Sequence, residues 1–261
     1  MTLKKLQYSK LIAMKKSKIE WTEQTWNPSV GCDKVSAGCK NCYAETMAIR
    51  LKAMQTKGYE NGFVFTLMPE RLEQPLKVKQ PTKFFVNSMS DLFHEKMPFE
   101  YLDMIFDVIE QTPQHTYQIL TKREKRMAEY LTGKVLPKNV WLGVTVEDSS
   151  TKQRIDYLRN INASIKFISM EPLLEDVGEL NLENIHWVIV GGESGVKARP
   201  MQQEWVLNIK EQCEHQKVAF FFKQWGTWGA DGIKRNKKVN GRELNGKIYS
   251  EYPELTENYF D

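Results

Sequence analysis

"NVWLGVTVED", residues 139–148, runs from Asn139 to Val146 without a charge and then ends on two acids. A strand apolar at nearly every position is covered on both faces, which a parallel sheet under helices provides and a hairpin does not. Five further runs have the same form: "KFFVNSMSD" (83–91), "TYQILTKR" (116–123), "IKFISMEP" (165–172), "HWVIVGGESG" (186–195) and "VAFFFKQWG" (218–226). Each is followed by a polar cluster and then by ten to eighteen residues of helical character. Within "PFEYLDMIFDVIEQTPQ" (98–114), Tyr101, Ile105 and Val108 share a face beside Leu102, Phe106 and Ile109, the wide stripe of a helix lying on a sheet. "REKRMAEYLTG" is expected to form a helix ending on Gly133, and "SSTKQRIDYLRNI" one capped by its serines.

With a first strand near "EQTWNPSVG", the chain reads as an α/β protein, a partial (β/α) barrel of six or seven parallel strands, with a doubly wound open sheet as the alternative. The expected organisation is a basic N-terminal extension (1–17), a barrel domain (18–226) with an irregular insertion at 57–82, and a C-terminal β-hairpin appendage (227–261). Prolines 69, 75 and 81 exclude a long helix from the insertion. Two Asn-Gly pairs, in "VNGREL" and "LNGKIY", predict hairpin turns in the appendage.

The 261 residues are 41% hydrophobic and 27% charged, with no run of eighteen apolar residues, and lysines interrupt the first segment. These features predict a cytoplasmic protein with no membrane association. The formal charge of +4 permits a nucleic-acid partner without demanding one.

Three of the four cysteines, Cys32, Cys39 and Cys42, lie in "GCDKVSAGCKNCYAE", directly after the first strand, while Cys213 sits in a helical pattern as a buried hydrophobe. In a reducing compartment clustered thiols point to a metal or redox group. A C-x6-C-x2-C set suits zinc or an iron–sulfur group. No fourth ligand is near, and His94 reaches the thiols only through the fold. The strand ends carry Asn87, Ser88, Ser90 and Asp91; Thr121, Lys122 and Arg123; Thr145, Glu147 and Asp148; Ser169 and Glu171; Gly191, Gly192, Glu193 and Ser194; and Lys223 with Gln224. In parallel βα folds the site lies beyond those ends. Trp21, Trp26, Trp187, Trp225 and Trp228, with Lys223, Lys234, Arg235, Lys237 and Lys238, are candidates for base stacking and phosphate contacts.

Together "WTEQTWNPSVGCDKVSAGCKNCYAE", "NSMSDLFHE", "LTKR", "GVTVED", "SMEPLLE", "VIVGGESG" and "FFFKQWG" resemble the phage-associated three-cysteine-motif proteins, over residues 18–253. That family is similar to the radical S-adenosyl-L-methionine (SAM) superfamily, with spore photoproduct lyase among the nearer relatives. The resemblance implies a four-iron four-sulfur (4Fe-4S) cluster on Cys32, Cys39 and Cys42, SAM as second cofactor, and a 5'-deoxyadenosyl radical that abstracts hydrogen. It further implies an external electron donor, a nucleic acid, nucleotide or related substrate, and a setting in phage biology or antiphage defence.

The superfamily's spacing is C-x3-C-x2-C with an aromatic residue before the third cysteine, whereas here the first gap is six and Tyr43 follows Cys42. On that pattern Ser90 and Asp91 are expected to accept the SAM ammonium. Gly191, Gly192, Glu193 and Tyr43 are placed near cofactor, and Lys122 or Arg123 at its carboxylate. Glu147 and Glu171 are assigned to ribose or substrate. Two other classes remain: a non-catalytic subunit of a defence or nucleic-acid complex stabilised by metal, and a hydrolase using Asp91, Glu147, Glu171 and Glu193 around a divalent ion, which leaves the thiols without a role.

Overall fold

The computed structural model describes residue 17 and residues 19–254; all but the last residue of the expected basic extension (1–17), residue 18 and the final residues 255–261 lie outside the described residues. The strands are β1 (Gln24–Trp26), β2 (Ser29–Val30), β3 (Thr66–Leu67), β4 (Lys83–Val86), β5 (Thr116–Thr121), β6 (Val140–Thr145), β7 (Ile165–Met170), β8 (Trp187–Gly191), β9 (Ala219–Gln224), β10 (Glu243–Leu244) and β11 (Lys247–Ile248). Seven form one sheet in the order β1-β4-β5-β6-β7-β8-β9, every pair parallel. This is the expected partial (β/α) barrel. The chain adds strands in sequence order without a reversal, so the doubly wound alternative falls, and β1 and β9 remain as two unjoined margins.

Period two explains why the strands are apolar throughout. One face, with Val86, Ile119, Leu142, Val144, Ile168, Val188 and Phe222, packs into the main core. The other, with Phe85, Trp141, Phe167, Trp187, Ile189 and Phe221, forms a separate core with Trp21 on the concave side. Trp187 centres that cluster, edge-on to Trp21, Trp141 and Phe221 at 6.2, 6.0 and 5.9 Å. Gly143 has no side chain because the Phe167 ring fills its place; a Cβ there would stand 2.6 Å from the ring. The aromatic plug thus occupies the lower concave face, and the polar strand ends stand above it.

The helices are α1 (Tyr43–Ala53), α2 (Phe99–Glu110), α3 (Glu124–Leu131), α4 (Arg154–Arg159), α5 (Gln203–His215) and α6 (Lys237–Asn240). The α2 stripe is buried as its spacing predicts. Gly133, at φ 74°, follows α3, and Cys213 is buried on α5, where burial pushes its thiol up to about 12. Among the described residues no helix is long and apolar enough to cross a membrane.

Three local expectations are corrected. The serines at 149 and 150 do not cap a helix: Asp148 and Thr151 close a reciprocal capping box around a short 3-10 turn that precedes α4. No helix joins β7 to β8. There Leu173, Val177, Leu180, Leu182 and Ile185 are buried from irregular backbone, whose Leu180 and Leu182 amides donate to the Gln212 and Gln216 side chains of α5 at 2.7 and 2.9 Å. Side-chain carbonyls thus replace a helical ladder. Of the two Asn-Gly pairs, Asn245-Gly246 (φ 50° and 72°) turns the β10–β11 hairpin, whereas Asn240-Gly241 ends α6, whose N-terminus the Asn236 side chain caps.

The insertion lays β3 antiparallel on β2 and accepts the Trp26 indole N–H at the Arg71 carbonyl, 2.8 Å. Trp21, Trp26, Trp187 and Trp225 are core residues rather than stacking surfaces. Beyond the hairpin the chain returns beneath the sheet: Ser250 bridges Phe221, the Trp187 indole donates to the Glu251 carbonyl at 2.8 Å, and Lys83 Nζ stands 4.8 Å above the Tyr252 ring. This strap ties β9 to β4 below the site.

Candidate active site

A cavity of about 500 Å³ opens above the aromatic plug. The strands position it by the same alternation: Asn87 follows Phe85, Thr145 and Ser169 stand two residues beyond Gly143 and Phe167, and Lys223 two beyond Phe221. Cys32, Cys39 and Cys42 all line it, each half-buried. Of the other expected site residues, Tyr43, Ser90, Asp91, Lys122, Glu171, Gly192 and Glu193 reach the wall; Glu147 and Gly191 do not.

The cysteine loop is built into the sheet at its start. Gly31 donates its amide to the Met89 carbonyl at 2.9 Å, pairs with Ser90, and adopts φ 78°, and a Cβ there would lie 2.2 Å from the Val64 carbonyl oxygen. Glycine is therefore required on both counts. A 3-10 turn (Ala37–Cys39) follows, and Cys42 stands at the N-terminus of α1.

Three carboxylates then fix the loop to three strand ends. Asp91 holds Arg123 at 3.2 Å, and Arg123 Nη1 donates to Cys32 Sγ at 3.4 Å. Glu147 accepts the Ser36 hydroxyl at 2.7 Å, and that hydroxyl lies 3.8 Å from Cys39 Sγ. Glu193 accepts from Asn41 Nδ2 at 3.0 Å and takes a two-pronged grip from Arg199, whose Nη2 also donates to the Ala37 carbonyl.

These contacts change what the acids can do. The remaining capacity of Asp91 is used by the Thr121 hydroxyl at 2.6 Å and by the Phe93 and Lys122 amides at 3.0 Å. The Ser90 hydroxyl donates to the Gly31 carbonyl at 2.7 Å. Glu147 is fully buried between Lys122 (3.1 Å) and Arg154 (2.7 Å). Burial alone would raise its carboxyl, but those two cations outweigh it and hold the group below its ordinary range. Glu193 is lowered in the same way, burial being outweighed by its hydrogen bonds from Arg199 and Asn41. Asp91, Glu147 and Glu193 are thus struts of the cysteine loop. Glu171 and Lys223, paired at 3.0 Å with Ser169 Oγ donating to the second Glu171 oxygen at 3.1 Å, are a charged pair facing the cavity that holds no part of the cysteine loop.

Arg199, Arg154 and Ser36 carry no motif signal, and Asn41 registers in the sequence only as the residue before Cys42. Replacing Arg199 by alanine leaves Glu193 buried with Asn41 as its one side-chain partner. We expect a loss of about 1–3 kcal/mol in urea titration, with Arg199→Lys restoring part of it because an ammonium cannot span both oxygens.

The donor set tests which group the thiols fit. Among the described residues no three His, Cys, Asp or Glu side chains gather around the position of a single metal ion. A zinc ion with bonds of about 2.3 Å would draw its sulfurs to within about 4 Å of one another, whereas a cluster binds each thiolate through a separate iron. His94 does not complete a tetrahedron: Nδ1 accepts the Lys96 amide at 3.1 Å, Nε2 lies 3.1 Å from Asp33 Oδ2, and the ring stacks on Phe65 at 4.2 Å. Three half-buried thiols thus line one cavity with no His94 nitrogen turned to join them.

The profile of the family described as "Protein of unknown function (DUF5131)" matches residues 16–253. No curated protein matches the chain. Among solved structures, spore photoproduct lyase with bound AdoMet and dinucleoside spore photoproduct is similar at 10% identity and a TM-score of 0.47, covering 70% of this chain and 59% of that one. Spore photoproduct lyase complexed with dinucleoside spore photoproduct is similar at 10% identity and a TM-score of 0.46, covering 78% and 64%. The chain therefore spans less than two thirds of the length of either.

Proposed function

The chain belongs to the DUF5131 family, and we propose that it is a radical SAM-like enzyme whose residues 18–226 form the catalytic unit, acting on a nucleic acid, nucleotide or related metabolite. One observation carries the reading: three thiols share a cavity wall, and three separate carboxylate struts hold their loop against the carboxyl ends of a parallel sheet. A purely stabilising thiol site would need no open cavity beside it.

In this reading Cys32, Cys39 and Cys42 hold a 4Fe-4S cluster. Cluster and SAM, if bound, would supply hydrogen-atom abstraction from substrate, one electron being consumed in cleaving SAM to methionine and a 5'-deoxyadenosyl radical. The protein's part is binding, orientation and exclusion of water. Leu120, Phe85 and Trp21 give the cavity an apolar side that keeps water from a reactive carbon centre. Lys122, on the wall with 21% of its side chain exposed and its ammonium braced by Glu147 at 3.1 Å, is the cation placed to meet a carboxylate or phosphate. Glu171 accepts from hydroxyl or amino groups, with Lys223 paired to it at 3.0 Å. Ser90, Gly192 and Tyr43 shape the same wall, with the Tyr43 hydroxyl bonded to the Ser88 carbonyl. An external one-electron donor completes the requirements.

The test is anaerobic reconstitution with iron and sulfide, followed by electron paramagnetic resonance with and without SAM. About four irons per chain and a spectrum that changes on adding SAM are expected. A preparation holding one zinc, with no response to SAM, overturns the reading in favour of a non-catalytic metal-stabilised subunit.

A further inference from the structure

Arg123 is 6% exposed and stands just past the end of β5. A buried guanidinium needs partners, and it has three: Asp91 Oδ2 at 3.2 Å, Cys32 Sγ at 3.4 Å and, through Nη2, the Asp33 carbonyl at 3.3 Å. Its backbone is held as well, the amide donating to Thr121 Oγ1 at 2.9 Å. That hydroxyl donates to Asp91 Oδ1 at 2.6 Å, and the Phe93 and Lys122 amides fix the same carboxylate. Asp91 and Arg123 therefore form a rigid frame in the cavity wall that cannot swing further without breaking several bonds.

The frame points at one sulfur of the three. Cys39 Sγ meets only the Ser36 hydroxyl, at 3.8 Å, and among the described residues no hydrogen bond reaches Cys42 Sγ, the Thr46 hydroxyl donating instead to the Cys42 carbonyl. A buried ion pair adds little to stability compared with apolar side chains of the same volume, so stability alone accounts poorly for this one. A fixed cation beside a metal-bound sulfur has a definite electrical effect. It favours whichever state of the bound group carries more negative charge, and hydrogen bonds to ligand sulfurs are among the protein's means of setting a cluster's potential.

We propose that Arg123, anchored by Asp91, is a positioning residue that places positive charge on the Cys32 corner of the thiolate set and so raises the readiness of the bound cluster to accept an electron. This rests on the cluster reading given above and adds to it the residue that poises the group. It also removes Arg123 from the candidates for binding a ligand carboxylate and leaves that part to Lys122. The step is a one-electron reduction: the electron comes from the external one-electron donor and no proton or bond is exchanged at Arg123.

The experiment is a potentiometric titration of the full-length, anaerobically reconstituted chain, followed by electron paramagnetic resonance, with iron counted for every sample. Compared with wild type, Arg123→Gln is expected to keep its iron while the reduction equilibrium moves about tenfold toward the oxidised form, which is about 59 mV for one electron. Asp91→Asn, which removes a negative charge from the same corner, is expected to move the equilibrium the opposite way, toward the reduced form. A fully loaded Arg123→Gln chain with the wild-type potential overturns the proposal and leaves Arg123 a structural residue. Should Arg123→Gln fail to hold iron, the loaded Asp91→Asn chain decides: a raised potential shows that charge at this corner sets the equilibrium and supports the proposal, and an unchanged one overturns it. A wild-type chain that takes up no iron overturns the cluster reading itself, and this inference with it.

Discussion

Replacing Glu147 by glutamine lowers the folding stability by about 3 kcal/mol or more in urea titration at neutral pH, among the larger single-residue effects expected of this protein. The side chain is fully buried and meets Lys122, Arg154 and Ser36 at 3.1, 2.7 and 2.7 Å. The amide keeps the shape and one acceptor but takes the balancing charge from two cations, and Arg154, at 4% exposure, is left with Glu124 at 3.4 Å and the Thr145 carbonyl at 2.7 Å. The pH dependence identifies the cause. The folded carboxyl is lowered by its cations despite burial, so its contribution is complete above the unfolded value of about 4.3 and is withdrawn as pH falls through the lower folded value. Wild type therefore loses stability in that acid window, and Glu147→Gln loses correspondingly less. Parallel curves for the two proteins would show that the ion pairs contribute nothing beyond shape.

Gly192→Ala is expected to cost as much or more, and to empty the site. Its Cβ would stand 1.9 Å from the Trp225 carbonyl oxygen, a contact between two backbones that no rotamer change relieves. The Gly192 amide donates to the Gln224 carbonyl at 3.0 Å, so the two chains are already drawn together by a hydrogen bond. Overpacking of this kind costs about 1–3 kcal/mol where side chains can yield, and more where they cannot. Relief must come from moving the start of the 192–195 loop, which carries Glu193 and with it the clasp on Asn41 and Arg199. Reconstituted Gly192→Ala should therefore retain less iron than wild type, counted per folded chain. Retention at the wild-type level would mean that the loop absorbs the methyl group without disturbing the cysteines.

Gly192 shows where sequence reading stops. A Gly-Gly-Glu segment at a strand end suggests contact with a ligand. Here the second glycine admits a neighbouring backbone and the glutamate clamps a loop. The strands themselves are legible because burial on both faces writes an apolar residue at almost every position, and residues two steps past the plug are polar because they line the mouth. The thiols are legible from their clustering. The struts are not, since Ser36 and Glu147 are 111 residues apart and Asn41 and Glu193 are 152 apart, and no local pattern marks residues that meet only through closure of the sheet. The segment between β7 and β8 misleads for a related reason. Its apolar residues are spaced much as a helix would space them, and only the glutamines of α5 make the irregular course affordable to its amides.

The two unjoined margins of the sheet, β1 and β9, have a mechanical consequence. In a closed ring of strands, girth is locked by strand number and stagger. Here the curl can tighten or relax by a small change of twist without severing any main-chain ladder. What resists such breathing is the strap running below, from Phe221 past Trp187 to the Tyr252–Lys83 contact, together with the Asn41–Glu193 clasp across the mouth. The cup's girth is accordingly held at its base by one short peptide and at its rim by the loop that carries the thiols.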